Sequence, residues 1–314
     1  MTPVNGDRAH RTGDDMSAEG RATWRDPALG KAGELNLSGG KLRYFEAGAG
    51  TPIVFVHGLL VNANLWRKVV PKLSPDFRCI TLDLPLGSHT LPMPDADLSV
   101  YGLADLIAGS IAELGLDDVA LVGNDTGGAL CQVVVTRSPE HIGHIGRLVL
   151  TSCEYREKAP PAIFSYLGPA TRFPAVAPLL FAPMRLRAPR RLPFAFGWLA
   201  KRPIDREAED SYVFPGMTNR GIVRDAHRVI TGLDKRYLDE AADRLGSFER
   251  PVLIAWSRED RFFGPERAQG LASECPNARL QWIDDAYTFS MEDNPERVVE
   301  LVAGFVRQPV TAGD

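Results

Sequence analysis

The sequence predicts an α/β protein whose mostly parallel sheet carries helices on both faces. Three observations predict it. From residue 34 onward, short apolar runs alternate with stretches of helical spacing. The apolar runs, such as Pro52-Ile-Val-Phe-Val, are strand-sized. Residues 119–128, Val-Ala-Leu-Val-Gly-Asn-Asp-Thr-Gly-Gly, run from an apolar strand through a glycine-flanked turn into a helical pattern. Such sheets gather their ligand sites at the carboxyl ends of the strands. A chain of 314 residues, 44% hydrophobic and 24% charged, is long enough to bury one large core carrying an insertion.

Residues 1–33 are polar and turn-rich and read as a flexible tail. Strand candidates follow at 42–46, 53–56, 77–82, 119–122, 148–151, 252–256 and 279–283. Helical spacing lies between them: at 65–73, where Leu65, Trp66, Val69, Val70 and Leu73 recur, at 99–114 and at 126–137. Residues 155–230 break the rhythm with proline, arginine and aromatics, yet hold too many large apolar residues for disorder, and 224–233 reads as helix. This segment is expected to be a helical cap, or lid, over a core made of 34–154 and 231–308, with 309–314 a short tail.

A net charge of −4 and a pI near 5.9 give no reason to expect nucleic acid or an acidic membrane, leaving a small-molecule substrate as partner. Cys79, Cys131, Cys153 and Cys275 have no paired spacing, so neither a disulfide framework nor a metal site is expected. Free thiols, and no apolar stretch suited to a signal peptide or membrane span, point to the cytoplasm. The glycine-rich turn lacks both the Gly-x-Gly-x-x-Gly fingerprint and a P-loop lysine, so no cofactor is expected.

The turn itself carries the chemistry. It reads Gly123-Asn-Asp125-Thr-Gly127, with an aspartate at the apex where a serine commonly stands. Gly123 and Gly127 permit a bend in which side chains would collide, and an apex carboxylate could attack an electrophilic carbon. His57-Gly58 follows one apolar strand and Asp83-Leu-Pro85 closes the next. Asp260 lies in Trp256-Ser-Arg-Glu-Asp260-Arg, and Glu292-Asp-Asn-Pro295 opens a final helix.

In order and spacing these motifs resemble the α/β-hydrolases from residue 34 to 307. The resemblance implies an eight-stranded sheet, an oxyanion site from the backbone N–H groups of Leu59 and Thr126, and Asp260 as the acid. An aspartate at the elbow is similar to haloalkane dehalogenases, fluoroacetate dehalogenases and soluble epoxide hydrolases, which pass through an alkyl-enzyme ester cleared by histidine-activated water. Here Thr288 occupies the histidine position, or Tyr287 after a one-residue slip. Thr126 also replaces the tryptophan or arginine that the dehalogenases place after the nucleophile, and Leu59 an asparagine often found after His-Gly.

His89, past a strand's carboxyl end, is the candidate replacement base; His57 is expected to orient the oxyanion loop and, with Trp66, to contact substrate. Tyr155, Tyr166 and Tyr212 are available as cap tyrosines to protonate an opening epoxide. His141 and His144 fall at the wrong edge of the sheet, His10 in the tail and His227 on a cap helix. The expected function is that of a hydrolase-like enzyme acting on a small to medium apolar substrate through Asp125. The alternatives are a cofactor-free isomerase, lyase or cyclase with Asp125 as base, and a ligand-binding pseudo-hydrolase.

Overall fold

Residues 16–137, 142–156 and 182–308 are described by the computed structural model. Its strands are β1 (Lys31–Leu37), β2 (Gly40–Ala47), β3 (Pro52–Val56), β4 (Arg78–Leu82), β5 (Val119–Asp125), β6 (Ile145–Cys153), β7 (Val252–Ser257) and β8 (Ala278–Ile283). They form one eight-stranded sheet in the order β1-β2-β4-β3-β5-β6-β7-β8, antiparallel at β1/β2 and β2/β4 and parallel elsewhere. From β3 the chain pairs outward to β4 and then crosses back to β5 on the other side of β3. The carboxyl ends of β3 and β5 therefore flank the point where strand order reverses.

Alternate residues of the central strands serve opposite cores, as a two-residue period requires. Val54, Val56, Leu121, Leu148 and Ile254 pack in one cluster, beneath the helices Val100–Glu113 and Thr126–Arg137. Ile53, Phe55, Ala120, Val122 and Leu253 pack in the other, with Leu73 and with Val298 and Val302 of the helix Pro295–Val306. Burial on both faces explains why these strands are continuously apolar in sequence.

The structure departs from the sequence reading at the amino-terminal side. Within the stretch read as tail, Ala18–Thr23 is helical, Pro27–Leu29 forms a 3-10 turn and β1 begins at Lys31. The order there rests on polar contacts that composition cannot reveal: Arg25 donates to both oxygens of Asp83, at 3.0 and 3.1 Å, and the Asp26 N–H donates to Asn64 Oδ1 at 2.8 Å. β1 escaped notice because it is an edge strand with only Leu35 buried. The single helix expected over 65–73 is split into Ala63–Trp66 and Val70–Leu73, because Pro71 lacks an N–H to continue the first turn.

Between β6 and β7, the described residues include the helices Arg206–Val213 and Arg220–Gly232. Asn62 holds the first by donating to Ser211 O at 2.9 Å, and Asp225 fixes the second by accepting from Met93 N at 2.7 Å. No described helix is long and apolar enough to cross a membrane.

Candidate active site

Five parallel strand ends converge on one place. β3 leads into His57-Gly58-Leu59, β5 ends on Asp125, β6 is followed by Glu154, β7 by Asp260, and β8 by the loop carrying Thr288. Asp125 stands at φ 54°, the left-handed region that costs a non-glycine residue about 1–3 kcal/mol. The surrounding packing holds it there. A Cβ on Gly127 would lie 2.4 Å from His57 O, one on Gly123 2.7 Å from Gly127 O, and one on Gly58 2.1 Å from Asp125 Oδ2. These glycines are thus required by close approach, while the strained φ falls on the aspartate itself.

The backbone N–H groups of Leu59 and Thr126 favour the charged form of the Asp125 carboxyl, and Thr126 opens the helix Thr126–Arg137, whose dipole favours negative charge. Asn124, one residue before, is buried and ties the site together: its Nδ2 donates to Thr151 Oγ1 at 3.0 Å and to Thr288 O at 2.8 Å. Thr288 is fully buried, and its hydroxyl donates to Asp260 Oδ1 at 3.0 Å. The same Oδ1 accepts from the N–H groups of Phe262 and Phe263, both at 2.8 Å. Thr288 therefore faces Asp260. The Tyr287 ring lies against Arg261 and Lys201, and Arg261 donates to its hydroxyl at 3.0 Å.

Glu154 was not singled out from sequence. Asp125 pairs with Cys153 across the β5/β6 ladder, which brings the next residue beside the elbow, and the Thr126 hydroxyl donates to Glu154 Oε1 at 2.9 Å. An acidic residue directly after an apolar strand was the one local signal. Burial raises the Asp125 carboxyl well above its ordinary range, with the adjacent Glu154 charge adding to the rise and the two backbone N–H groups opposing it. Burial also raises Glu154, against the Thr126 hydroxyl that favours its charged form. Asp260 is pushed up to about 6, again chiefly by burial, with the N–H groups of Phe263 and Phe262 opposing.

Several expected site residues lie elsewhere. His57 is buried, and its Nδ1 donates to Gly58 O at 2.9 Å while its Nε2 accepts from Leu84 N at 3.0 Å, so neither ring nitrogen is left for substrate. Burial lowers it to about 4, which keeps the ring neutral as a brace for the loop after β3. His89 is buried with Nε2 at 3.3 Å from Asp225 Oδ2, beneath the segment between β6 and β7, and no contact joins it to Asp125. Trp66 is fully buried in the core against Phe55, with ring centroids 4.9 Å apart. The Tyr155 hydroxyl is turned to Glu274 at 3.1 Å and to Arg156 at 2.9 Å, away from the elbow. Tyr212 is buried against Phe196, and its hydroxyl has no hydrogen-bond partner among the described residues. Tyr166, His10 and His141 lie outside the described residues. His144 pairs with Asp117 at the amino-terminal side of the sheet. No cluster of metal-ligating side chains occurs among the described residues.

A family model described as alpha/beta hydrolase fold matches residues 51–295. The chain belongs to the alpha/beta hydrolase fold family. It is 26% identical over 269 residues to the uncharacterized hydrolase YugF of Bacillus subtilis, covering 81% of this chain and 89% of that protein. A haloalkane dehalogenase of Mesorhizobium japonicum is 30% identical over 113 residues, 36% of each chain. Among solved structures, the haloalkane dehalogenase DatA of Agrobacterium tumefaciens superposes with a TM-score of 0.73 at 19% identity, covering 90% of this chain and 99% of that one. This likeness establishes the fold, and hydrolase-named relatives accompany it.

Proposed function

We propose that this α/β-hydrolase-fold chain is a hydrolase-like enzyme of the dehalogenase and epoxide-hydrolase type, acting on a small to medium apolar substrate through Asp125. One observation carries the reading: a carboxylate held at φ 54° on the elbow, packed so closely on the loop after β3 that a Cβ on Gly58 would lie 2.1 Å from its Oδ2. In the proposed reaction an Asp125 oxygen attacks the electrophilic carbon, forming a C–O bond as the carbon–halogen or epoxide C–O bond breaks and its electron pair leaves with halide or alkoxide. The N–H pair then faces the ester carbonyl oxygen and stabilises the oxyanion formed when water attacks that ester.

The proton of that water needs an acceptor, and threonine is not a base near pH 7. Asp260 supplies one. Water gives its proton to Thr288 Oγ1 as the Thr288 hydroxyl proton passes along its existing hydrogen bond to Asp260 Oδ1. A carboxyl at about 6 is suited to that role, though weaker than an imidazole placed directly against the water. Slow ester hydrolysis is therefore expected. Intact-mass measurement after incubation with haloalkane and epoxide panels tests the reading: the wild type should gain the mass of the alkyl group and Asp125→Asn should not. Neither adduct nor turnover across both panels would overturn it.

A second reading follows from the raised, adjacent Asp125 and Glu154 carboxyls. A carboxylate with its affinity for protons raised is a better base, so Asp125 could instead abstract a proton in a cofactor-free isomerisation, elimination or cyclisation. Solvent deuterium appearing in recovered ligand, without any protein adduct, would select this reading. Ligand recovered unexchanged and unaltered would mark a binding protein.

A further inference from the structure

We infer that the segment between β6 and β7 carries a surface that docks on anionic lipid. The chain's net charge of −4 is unevenly distributed. From Lys158 to Ile204 the sequence holds no Asp or Glu and eight Lys or Arg. In the described part of that stretch, Leu186, Leu192 and Phe194 are 68%, 42% and 37% exposed, and they are the exposed large hydrophobic residues among the described residues. Arg185 and Arg191 are exposed immediately beside Leu186 and Leu192. Isolated exposed leucines are ordinary, but Leu186 and Leu192, six residues apart and each beside an exposed arginine, form the pattern of an interfacial anchor.

The tips are held by a fixed base. Arg190, fully buried, donates to Glu209 Oε2 at 3.0 Å and Asp210 Oδ1 at 2.5 Å, and Arg187 pairs with the same two carboxylates at 3.3 and 3.4 Å. Those acids are consumed inward, so they do not offset Arg185 and Arg191 at the surface. Backbone bonds from Leu192 N to Pro189 O at 3.1 Å, Ala195 N to Leu192 O at 2.9 Å and Phe196 N to Arg190 O at 2.9 Å close a compact knuckle. Beyond it the aromatics turn inward, Phe196 to Tyr212 and Trp198 to Phe262. Leu199 O then accepts from Phe289 N at 2.7 Å, one residue past Thr288. The knuckle is therefore joined through a short, bonded run of chain to the catalytic loop.

The occupant follows from charge complementarity with apolar tips: a bilayer surface presents anionic headgroups over hydrocarbon, which accepts both. Nucleic acid would take the arginines and leave the leucines exposed. Docking here would bring an apolar substrate dissolved in lipid to the side of the molecule that carries the elbow. Flotation of the full chain with phosphatidylcholine vesicles, with and without phosphatidylglycerol, tests the inference. Binding is expected only with phosphatidylglycerol and should weaken as salt is raised. With each basic side chain near the surface worth about fivefold, Arg185→Gln together with Arg191→Gln should lower partitioning roughly twenty-five-fold. Leu186→Ser with Leu192→Ser should also lower it, at unchanged salt dependence. All four positions are exposed, so thermal melts should match the wild type. Absence of binding to phosphatidylglycerol vesicles, equal binding to phosphatidylcholine alone, or indifference to either variant pair overturns the docking surface. Arginine-dependent binding to duplex DNA without vesicle binding does so as well. Asp125→Asn should bind vesicles as the wild type does, so this outcome is read independently of the proposed chemistry.

Discussion

Asp260→Asn should stabilise the protein at neutral pH relative to acid, and the size of the effect can be worked from the site. Burial raises this carboxyl from its ordinary 3.8 to about 6. The unfolded chain releases the same proton near pH 4, so between about 4 and 6 the native state holds a proton that the unfolded state has lost. Stability from this group therefore falls as pH rises, and the whole penalty stands above pH 6. A rise of roughly two pH units at 1.36 kcal/mol each costs about 3 kcal/mol at pH 8, most of which is absent at pH 4. Asparagine keeps an acceptor for Phe262 N–H, Phe263 N–H and the Thr288 hydroxyl, and cannot ionise. Its amide nitrogen replaces the buried Oδ2, at a cost of about 1–2 kcal/mol that is the same at every pH. Urea unfolding followed by tryptophan fluorescence should show the variant-minus-wild-type difference more favourable by roughly 2–3 kcal/mol at pH 8 than at pH 4. A difference that is constant with pH, or that moves the other way, would refute the assignment of a buried, proton-retaining Asp260. Turnover should fall in the same variant, because the proposed base is gone.

Glu154→Gln removes the charge that helps raise Asp125 while keeping an acceptor for the Thr126 hydroxyl, so the acid limb of adduct formation should move to lower pH. A limb that stays in place in a pH-rate profile counts against this influence of Glu154 on Asp125. Gly58→Ala puts a methyl 2.1 Å from Asp125 Oδ2 and should slow adduct formation by about a hundredfold or more in rapid-mixing mass measurements, with circular dichroism reporting a retained fold. Normal rates would mean that the carboxylate does not need this position. Thr288→His places an imidazole against Asp260 and should raise steady-state turnover by about tenfold or more, at about 1–3 kcal/mol of overpacking in a fully buried site. Unchanged turnover in a folded variant would show that ester hydrolysis is not the slow step.

The elbow was legible in the sequence because it is made by neighbours: an apolar strand, two closely spaced glycines and a helical run specify a sharp turn within ten residues, and its apex residue is read directly. Asp260 after β7 and Thr288 before the last helix were singled out only because their segments resemble those of the α/β-hydrolases. Glu154 was hidden because its partnership with Asp125 depends on the β5/β6 register, which joins residues about thirty apart and leaves only a weak local trace. His57 and His89 illustrate the converse. Both stand at the correct strand ends, yet one ring is consumed by two backbone groups and the other is turned to Asp225. Which way a side chain faces is settled by packing from elsewhere in the chain, and so is the order of residues 16–30, whose polar composition reads as tail until Arg25 meets Asp83. Local spacing therefore decided the fold and the apex carboxylate. Long-range contacts decided which groups lie beside that carboxylate and which histidines support the loops around it.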